Sequence, residues 1–139
     1  MEVAIITGAG SGIGLATAKA LYGMGMAIVG VGRDPGKLAT LASEIGDPGR
    51  LATLAIDITE DAAPQAIVRL ALERFGRIDF LINNAGITRD RMFAKMERDG
   101  WDAVIATNLT SLFNMTKQVS AKMAERGWGR IVNISSVNG

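Results

Sequence analysis

Thr7-Gly8-Ala9-Gly10-Ser11-Gly12-Ile13-Gly14 is a glycine-rich stretch set between an apolar run and a helical pattern. Glycines in such a turn let backbone approach a pyrophosphate, and the helix that follows offers free N–H groups and the positive end of its dipole. Gly8, Gly10, Ser11, Gly12, Ile13 and Gly14 are therefore candidate dinucleotide-binding residues. The spacing is Gly-xxx-Gly-x-Gly rather than Gly-x-Gly-xx-Gly, and no lysine follows Gly12 or Gly14, which argues against a P-loop. The simpler alternative is a flexible turn whose glycines serve helix–strand packing.

Further along, Gly32-Arg33-Asp34 follows a second apolar run. An acidic side chain at that strand end would bind adenosine ribose hydroxyls. Gly32 instead leaves room, and the planar guanidinium of Arg33 suits a 2′-phosphate, which favours NADP(H) over NAD(H). Asp34 either takes the ribose role or is a solvated turn residue ahead of Pro35, and Arg33 itself has the reading of an exposed loop cation. Asp57-Ile58-Thr59 ends a third run beside the expected adenine site, where the Asp57 carboxylate can accept from an adenine amino group and Ile58 is a further cofactor-binding candidate; Asp57 and Thr59 are equally suited to cap a helix. Asn83-Asn84-Ala85-Gly86 ends a fourth run: the amides can tie neighbouring strand ends together, Asn84, Ala85 and Gly86 are small or polar enough for cofactor contact, and the alternative is a tight turn.

Two candidates suit catalysis. Asn108 falls between Ile105 and Leu112 on or near the apolar stripe of a long helix, where a buried amide is costly without partners. It is either a satisfied structural amide or part of a helix distortion that holds water for proton relay. Asn133-Ile134-Ser135-Ser136-Val137-Asn138-Gly139 carries a fifth run into the same edge, where a serine can hydrogen-bond a substrate carbonyl or simply turn the chain.

The elements that must position these residues are legible in outline. Short apolar runs at 3–6, 27–31, 51–56, 78–82 and 130–135 read as buried strands. Between them lie helical patterns: Ile13, Ala16, Ala20 and Met24 recur at helical spacing before Gly25; Pro35 opens a helix with Leu38, Leu41 and Ile45 on one face; residues 61–75 place Ile67, Leu70 and Phe75 inward. A loop with a short turn at 92–96 precedes a long helix that Asp99 would cap, with Trp101, Ile105, Leu112, Met115, Val119 and Met123 as its buried stripe and Gly127 as its stop. The alternation predicts a parallel α/β sheet covered on both faces, doubly wound and Rossmann-like, with strands in the order 3-2-1-4-5; a flavodoxin-like sheet shares the element order.

Composition narrows the rest. The 139 residues suit one domain, 1–139, with a real core, and 48% hydrophobic against 21% charged residues argues against disorder. There is no cysteine and no histidine, so neither a disulfide, a thiolate or imidazole metal site nor a cysteine or histidine catalyst is expected. A net charge of +1 without a basic run makes nucleic acid a weak partner. No apolar run reaches membrane-spanning length and no secretory pattern is visible, so a cytoplasmic protein is expected.

Taken together, the motifs resemble the short-chain dehydrogenase/reductase family, in the family's order along the whole chain: Thr7 to Gly14, Asp57, Asn83 to Gly86, Asn108 and the Ser136 segment. Within the family, LINNAGITRD, WDAVIATNLTSLFN, TKQV and RGWGRIVNISSVNG are similar to bacterial acetoacetyl-CoA reductases and to 3-oxoacyl-[acyl-carrier-protein] reductases. The resemblance implies NADPH-dependent reduction of a 3-oxoacyl thioester to the 3-hydroxyacyl thioester, with Asn108 and Ser136 catalytic. Ser136 rather than Ser135 precedes the family's Val-x-Gly. It also implies a tyrosine proton donor, with a lysine four residues later, about a dozen residues beyond the serine. The sequence ends three residues after Ser136, and its one tyrosine, Tyr22, lies on the first helix near the glycine loop. The expectation is therefore a dinucleotide site without competent catalysis in these residues alone. It fits part of a reductase, a half-domain that binds dinucleotide, or an assembly protein. An open apolar edge at Ile131-Val132-Asn133-Ile134 and outward apolar residues of the long helix predict a homo-oligomer.

Overall fold

In the computed structural model, residues 1–136 are described. The Val137-Asn138-Gly139 end of the serine motif lies outside the described residues. Five parallel strands, β1 (Val3–Thr7), β2 (Ala27–Gly32), β3 (Leu51–Ala55), β4 (Phe80–Asn83) and β5 (Arg130–Asn133), form one sheet in the order β3-β2-β1-β4-β5. Register runs through the centre as Ile5 beside Val29 and Leu81, Val29 beside Ala52, and Leu81 beside Ile131. The helices are α1 (Gly12–Gly23), α2 (Pro35–Ile45), α3 (Ala63–Phe75), α4 (Arg98–Ile105) and α5 (Ser111–Arg126), with a 3₁₀ turn at Phe93–Lys95. This is the doubly wound order expected from the sequence.

Alternation along the strands supplies two cores. Val3, Ile5, Val29, Val31 and Leu81 face α3 and α5, packing on Ile67, Val68, Met115 and Val119. Ala4, Ile6, Ile28 and Ile82 face the other way, toward Ala18 of α1 and Leu41 of α2. A central strand buried on both faces has no polar side, which is why β1 and β2 read as continuous apolar runs.

Two helices depart from the sequence expectation. In α1 the buried residues are Gly14 and Ala18, whereas Ile13 and Met24 are 61% and 72% exposed. The close approach of Gly14 to the first turn, described below, rotates the helix onto that face. The expected long helix is interrupted. Glu97, rather than Asp99, precedes α4, and a wide π-helical segment, Ala106–Thr110, separates α4 from α5. A wider turn breaks the 3.6-residue register. Met115, Val119 and Met123 therefore stay buried, while Trp101 is half-exposed.

At the edge where the strands begin, Asp79 fastens three elements. Its carboxylate accepts from Val3 N at 2.8 Å, Arg77 Nε at 2.8 Å, Arg77 Nη2 at 2.7 Å and Arg126 Nη1 at 3.1 Å. Burial opposes its ionisation, but the hydrogen bonds from Arg77, Val3 N–H and Arg126 prevail and hold the carboxyl down to about 2. Tyr22 lies at this same edge, at the C-terminal end of α1 and away from the glycine turn. Its hydroxyl donates to Asp47 Oδ2 at 2.9 Å, and the Arg50 guanidinium stacks 4.0 Å from its ring centroid. Its position is structural, and the expectation of a place near the glycine loop is corrected.

Candidate dinucleotide site

The opposite edge, where the strands end, carries the sequence candidates. Thr7 closes β1 almost fully buried, and its hydroxyl accepts from Asn84 N and Ala85 N, each at 3.0 Å. The Asn84 side-chain amide in turn donates to the Gly8 carbonyl at 3.2 Å. The end of β1 and the turn after β4 are thus one bonded unit. Gly8 and Gly12 adopt φ of +66° and +55°, a left-handed region that favours glycine. Gly14 is required for another reason. A Cβ there would collide with the Gly8 carbonyl oxygen and meet Asn84 Nδ2 at 2.5 Å. Ser11 stands at the N-cap of α1 without making a side-chain capping bond, so its side chain does not occupy the first-turn N–H groups of α1.

These elements frame a cavity of about 640 Å³. Of the expected cofactor residues, Gly8, Gly10, Ser11, Arg33, Asp57, Ile58, Ala85 and Gly86 line it. Gly12, Ile13, Gly14 and Asn84 stand behind or beside the turn and do not line it. Gly14 and Asn84 hold the turn's shape, and Ile13 is largely exposed. Asp34 acts as the N-cap of α2, its Oδ1 accepting from Gly36 N at 2.8 Å and Lys37 N at 3.3 Å. That commits Oδ1 to the helix cap, and Asp34 also lines the cavity. Asp57 Oδ1 accepts from Thr59 N at 2.9 Å and Thr59 Oγ1 at 2.7 Å. Those bonds, first the backbone one, and then the nearby Arg33 charge lower its pKa despite partial burial, so it remains an anionic acceptor.

Asn83 ties strand ends as expected, its amide donating to Asn133 Oδ1 at 2.9 Å. Asn108 sits in the middle of the π-helical segment and is exposed rather than buried. Its partner is a single backbone unit: Oδ1 accepts from Ile87 N at 2.8 Å and Nδ2 donates to Ile87 O at 2.9 Å. The distorted helix of the sharper sequence reading is present, and through Ile87 the amide reaches the cavity wall. Ser136 lies just beyond β5, exposed, on the same edge of the sheet.

Some roles and residues of the site were not assigned from the sequence. Thr7 shapes the turn with its hydroxyl, a role hidden in a residue that also reads as the end of a strand. Ile87 and Thr107 line the cavity. Ser111, almost fully buried, donates its hydroxyl to the Thr107 carbonyl and so supplies a partner within the distorted segment. Lys37 lines the cavity beside Arg33. Its only sequence signal was a place in the first turn of α2, after a capping aspartate.

A glycine turn opening into a helix N-terminus, at the carboxyl end of a doubly wound sheet, defines a nucleotide-binding α/β protein. The residues fit a dinucleotide: glycines form the turn at the helix N-terminus, and two carboxylates, Asp34 and Asp57, and two cations, Arg33 and Lys37, line one cavity. The short chain dehydrogenase family model matches residues 2–139, and the chain belongs to that family. It is 48% identical over 141 residues to "Nodulation protein G" of Azospirillum brasilense and 47% identical over 141 residues to "Acetoacetyl-CoA reductase" of Cupriavidus necator. Each alignment covers 99% of this chain and 57% of the relative. A solved "Short-chain dehydrogenase/reductase" from Brucella melitensis superposes with a TM-score of 0.91 at 32% identity, covering 98% of this chain and 56% of that one. The chain thus spans a little over half the length of the relatives it matches. Among the described residues no helix is long and apolar enough to cross a membrane.

Proposed function

We propose that this chain carries the cofactor-binding part of an NADP(H)-dependent reductase that converts a 3-oxoacyl thioester, acetoacetyl-CoA-like, to the 3-hydroxyacyl thioester. The observation that carries the cofactor choice is the end of β2. Gly32 leaves space, Asp34 is committed to capping α2, and Arg33 lines the cavity without an ion-pair or hydrogen-bond partner among the described residues. A guanidinium without a hydrogen-bond or ion-pair partner favours a 2′-phosphate over bare ribose hydroxyls, even with the Asp57 carboxylate near enough to feel its charge. The thioester substrate class rests on the similarity to an acetoacetyl-CoA reductase.

When bound, the dinucleotide supplies the hydride. In this reading the glycine turn and the first turn of α1 hold the pyrophosphate, and Asp57 and Ile58 border the adenine. Ala85 and Gly86 leave room for the ribose chain. Ser136 holds the substrate carbonyl, and Asn108 fixes the Ile87 carbonyl as an acceptor for a relay water. Arg33→Ala should weaken NADPH binding about tenfold while NADH binding changes by less than about twofold, the scale of one charge-assisted contact. Equal loss for both cofactors removes the NADP(H) reading.

The same reading includes self-association. Among the described residues β5 is an edge of the sheet, with Ile131, Val132 and Ile134 exposed by 36–42%, and Leu109 and Phe113 of the helical stretch are more than half exposed. Apolar edges and faces of this kind seek partners. Sedimentation at high micromolar concentration should find an oligomer, and a monomer there sinks this part.

A further inference from the structure

The cavity holds a second cation besides Arg33. Lys37 and Arg33 both line it. Among the described residues neither side chain takes part in a hydrogen bond or ion pair. The aspartate between them in sequence also lines the cavity, with its Oδ1 accepting from Gly36 N and Lys37 N to cap α2. The stem of Lys37 lies directly across Gly10: a Cβ on Gly10 would come within 2.9 Å of Lys37 Cβ and 3.8 Å of Lys37 Cδ. Gly10 therefore has a use beyond nearness to a pyrophosphate, because its missing side chain is the lane in which the lysine stem rests.

We propose that Lys37 is a second specificity-determining cation of this site, acting with Arg33 on the 2′-phosphate of the adenosine ribose. This rests on the NADP(H) reading above and extends it to a residue on a different element. A phosphate monoester carries about −1.5 to −2 charge at neutral pH, so one guanidinium leaves roughly one charge uncompensated. The two side chains divide the work by their chemistry. Arginine presents a planar fork suited to two oxygens, and lysine a compact charge on a flexible stem. Arg33 leaves the end of β2 and Lys37 the first turn of α2. The pair is therefore set by the short β2–α2 connection and by the Asp34 cap that fixes where α2 starts.

The test uses adenosine 2′,5′-bisphosphate and 5′-AMP as probes, titrated calorimetrically into the 139-residue protein and its Lys37→Ala, Lys37→Arg, Arg33→Ala and doubly substituted variants. Lys37→Ala should weaken the bisphosphate about 5–10-fold and AMP by less than about twofold, as for loss of one partly exposed charge-assisted contact. Lys37→Arg should stay within about threefold of wild type, and the double variant should lose more than either single one. The salt dependence of bisphosphate binding should become shallower in Lys37→Ala. Unchanged bisphosphate affinity in Lys37→Ala, or equal loss for both probes, overturns the role of Lys37. If Arg33→Ala abolishes the preference for the bisphosphate while Lys37→Ala keeps it, Lys37 alone is wrong. If wild type does not prefer the bisphosphate, the NADP(H) reading itself fails and Lys37 falls with it.

Discussion

Replacing Gly14 by alanine adds one methyl group at the tightest point of the site. The new Cβ would lie 2.7 Å from the Gly8 carbonyl carbon and 2.5 Å from Asn84 Nδ2, where ordinary contact is 3.4–4 Å, and would run into the Gly8 oxygen. Relief requires a shift of roughly 1 Å in the glycine turn, in α1 or in both, and the turn is tied to β4 through Thr7 and Asn84. Overpacking of this kind costs about 1–3 kcal/mol and sometimes more; the Gly8 backbone must give way as well as the Asn84 side-chain amide that is bonded to it, so about 3 kcal/mol is expected. Two further glycines separate this cause from others. Gly12 has φ +55° but nothing within 4 Å of a Cβ, so Gly12→Ala should cost only about 1 kcal/mol of backbone strain. Gly23 has neither constraint, so Gly23→Ala should be neutral or stabilising by about 0.5 kcal/mol. Urea unfolding of the three variants, with NADPH titration alongside, reads both effects. Gly14→Ala should lower the midpoint most and lose cofactor affinity. A Gly14→Ala protein within 0.5 kcal/mol of wild type, or less affected than Gly12→Ala, refutes the reasoning (the precision expected of such differences).

Other outcomes follow from single side chains. Thr7→Val removes the acceptor shared by the Asn84 and Ala85 N–H groups and should cost about 2 kcal/mol in urea unfolding, while Thr7→Ser should recover most of it. Asp79 is held at about 2 from an ordinary 3.8, which at about 1.36 kcal/mol per pH unit contributes roughly 2 kcal/mol. Because the folded value is the lower one, that stability is complete above about pH 4 and is lost as pH falls toward 2; Asp79→Asn should remove it at neutral pH and flatten the acid limb of the stability curve, and an unchanged limb contradicts the clasp. Ser111→Ala removes the hydroxyl that satisfies the Thr107 carbonyl, so the Ile87 amide, bonded to Asn108, should exchange with solvent about 3–10-fold faster by NMR; unchanged exchange means that Ser111 does not support Asn108.

The sheet was legible because each strand is a short apolar run buried on one or both faces and closed by a turn. Helix faces were less so. The spacing of Ile13, Ala16, Ala20 and Met24 is helical, but the inward face of α1 is chosen by the contact of Gly14 with Gly8, a three-dimensional fact with no periodic signature. Trp101 was expected inside because a uniform 3.6-residue period was carried across residues 99–126, and the wide segment at Ala106–Thr110 breaks it. The site followed the same division. The place of the glycine turn, Asp57 and Asn84 to Gly86 at the strand-end edge of the sheet was readable from type and order. The commitment of Asp34 to a helix cap, the tether of Asn108 to Ile87 and the place of Lys37 beside Arg33 depend on how the β2–α2 connection and the α4–α5 junction fold.

Cofactor preference is the most direct measure of the central claim. Dissociation constants of the 139-residue protein for NADPH and NADH, taken side by side at one ionic strength, should differ by about tenfold or more in favour of NADPH. Equal affinities, or tighter binding of NADH, would contradict the account of the β2 end and of the site built around Arg33.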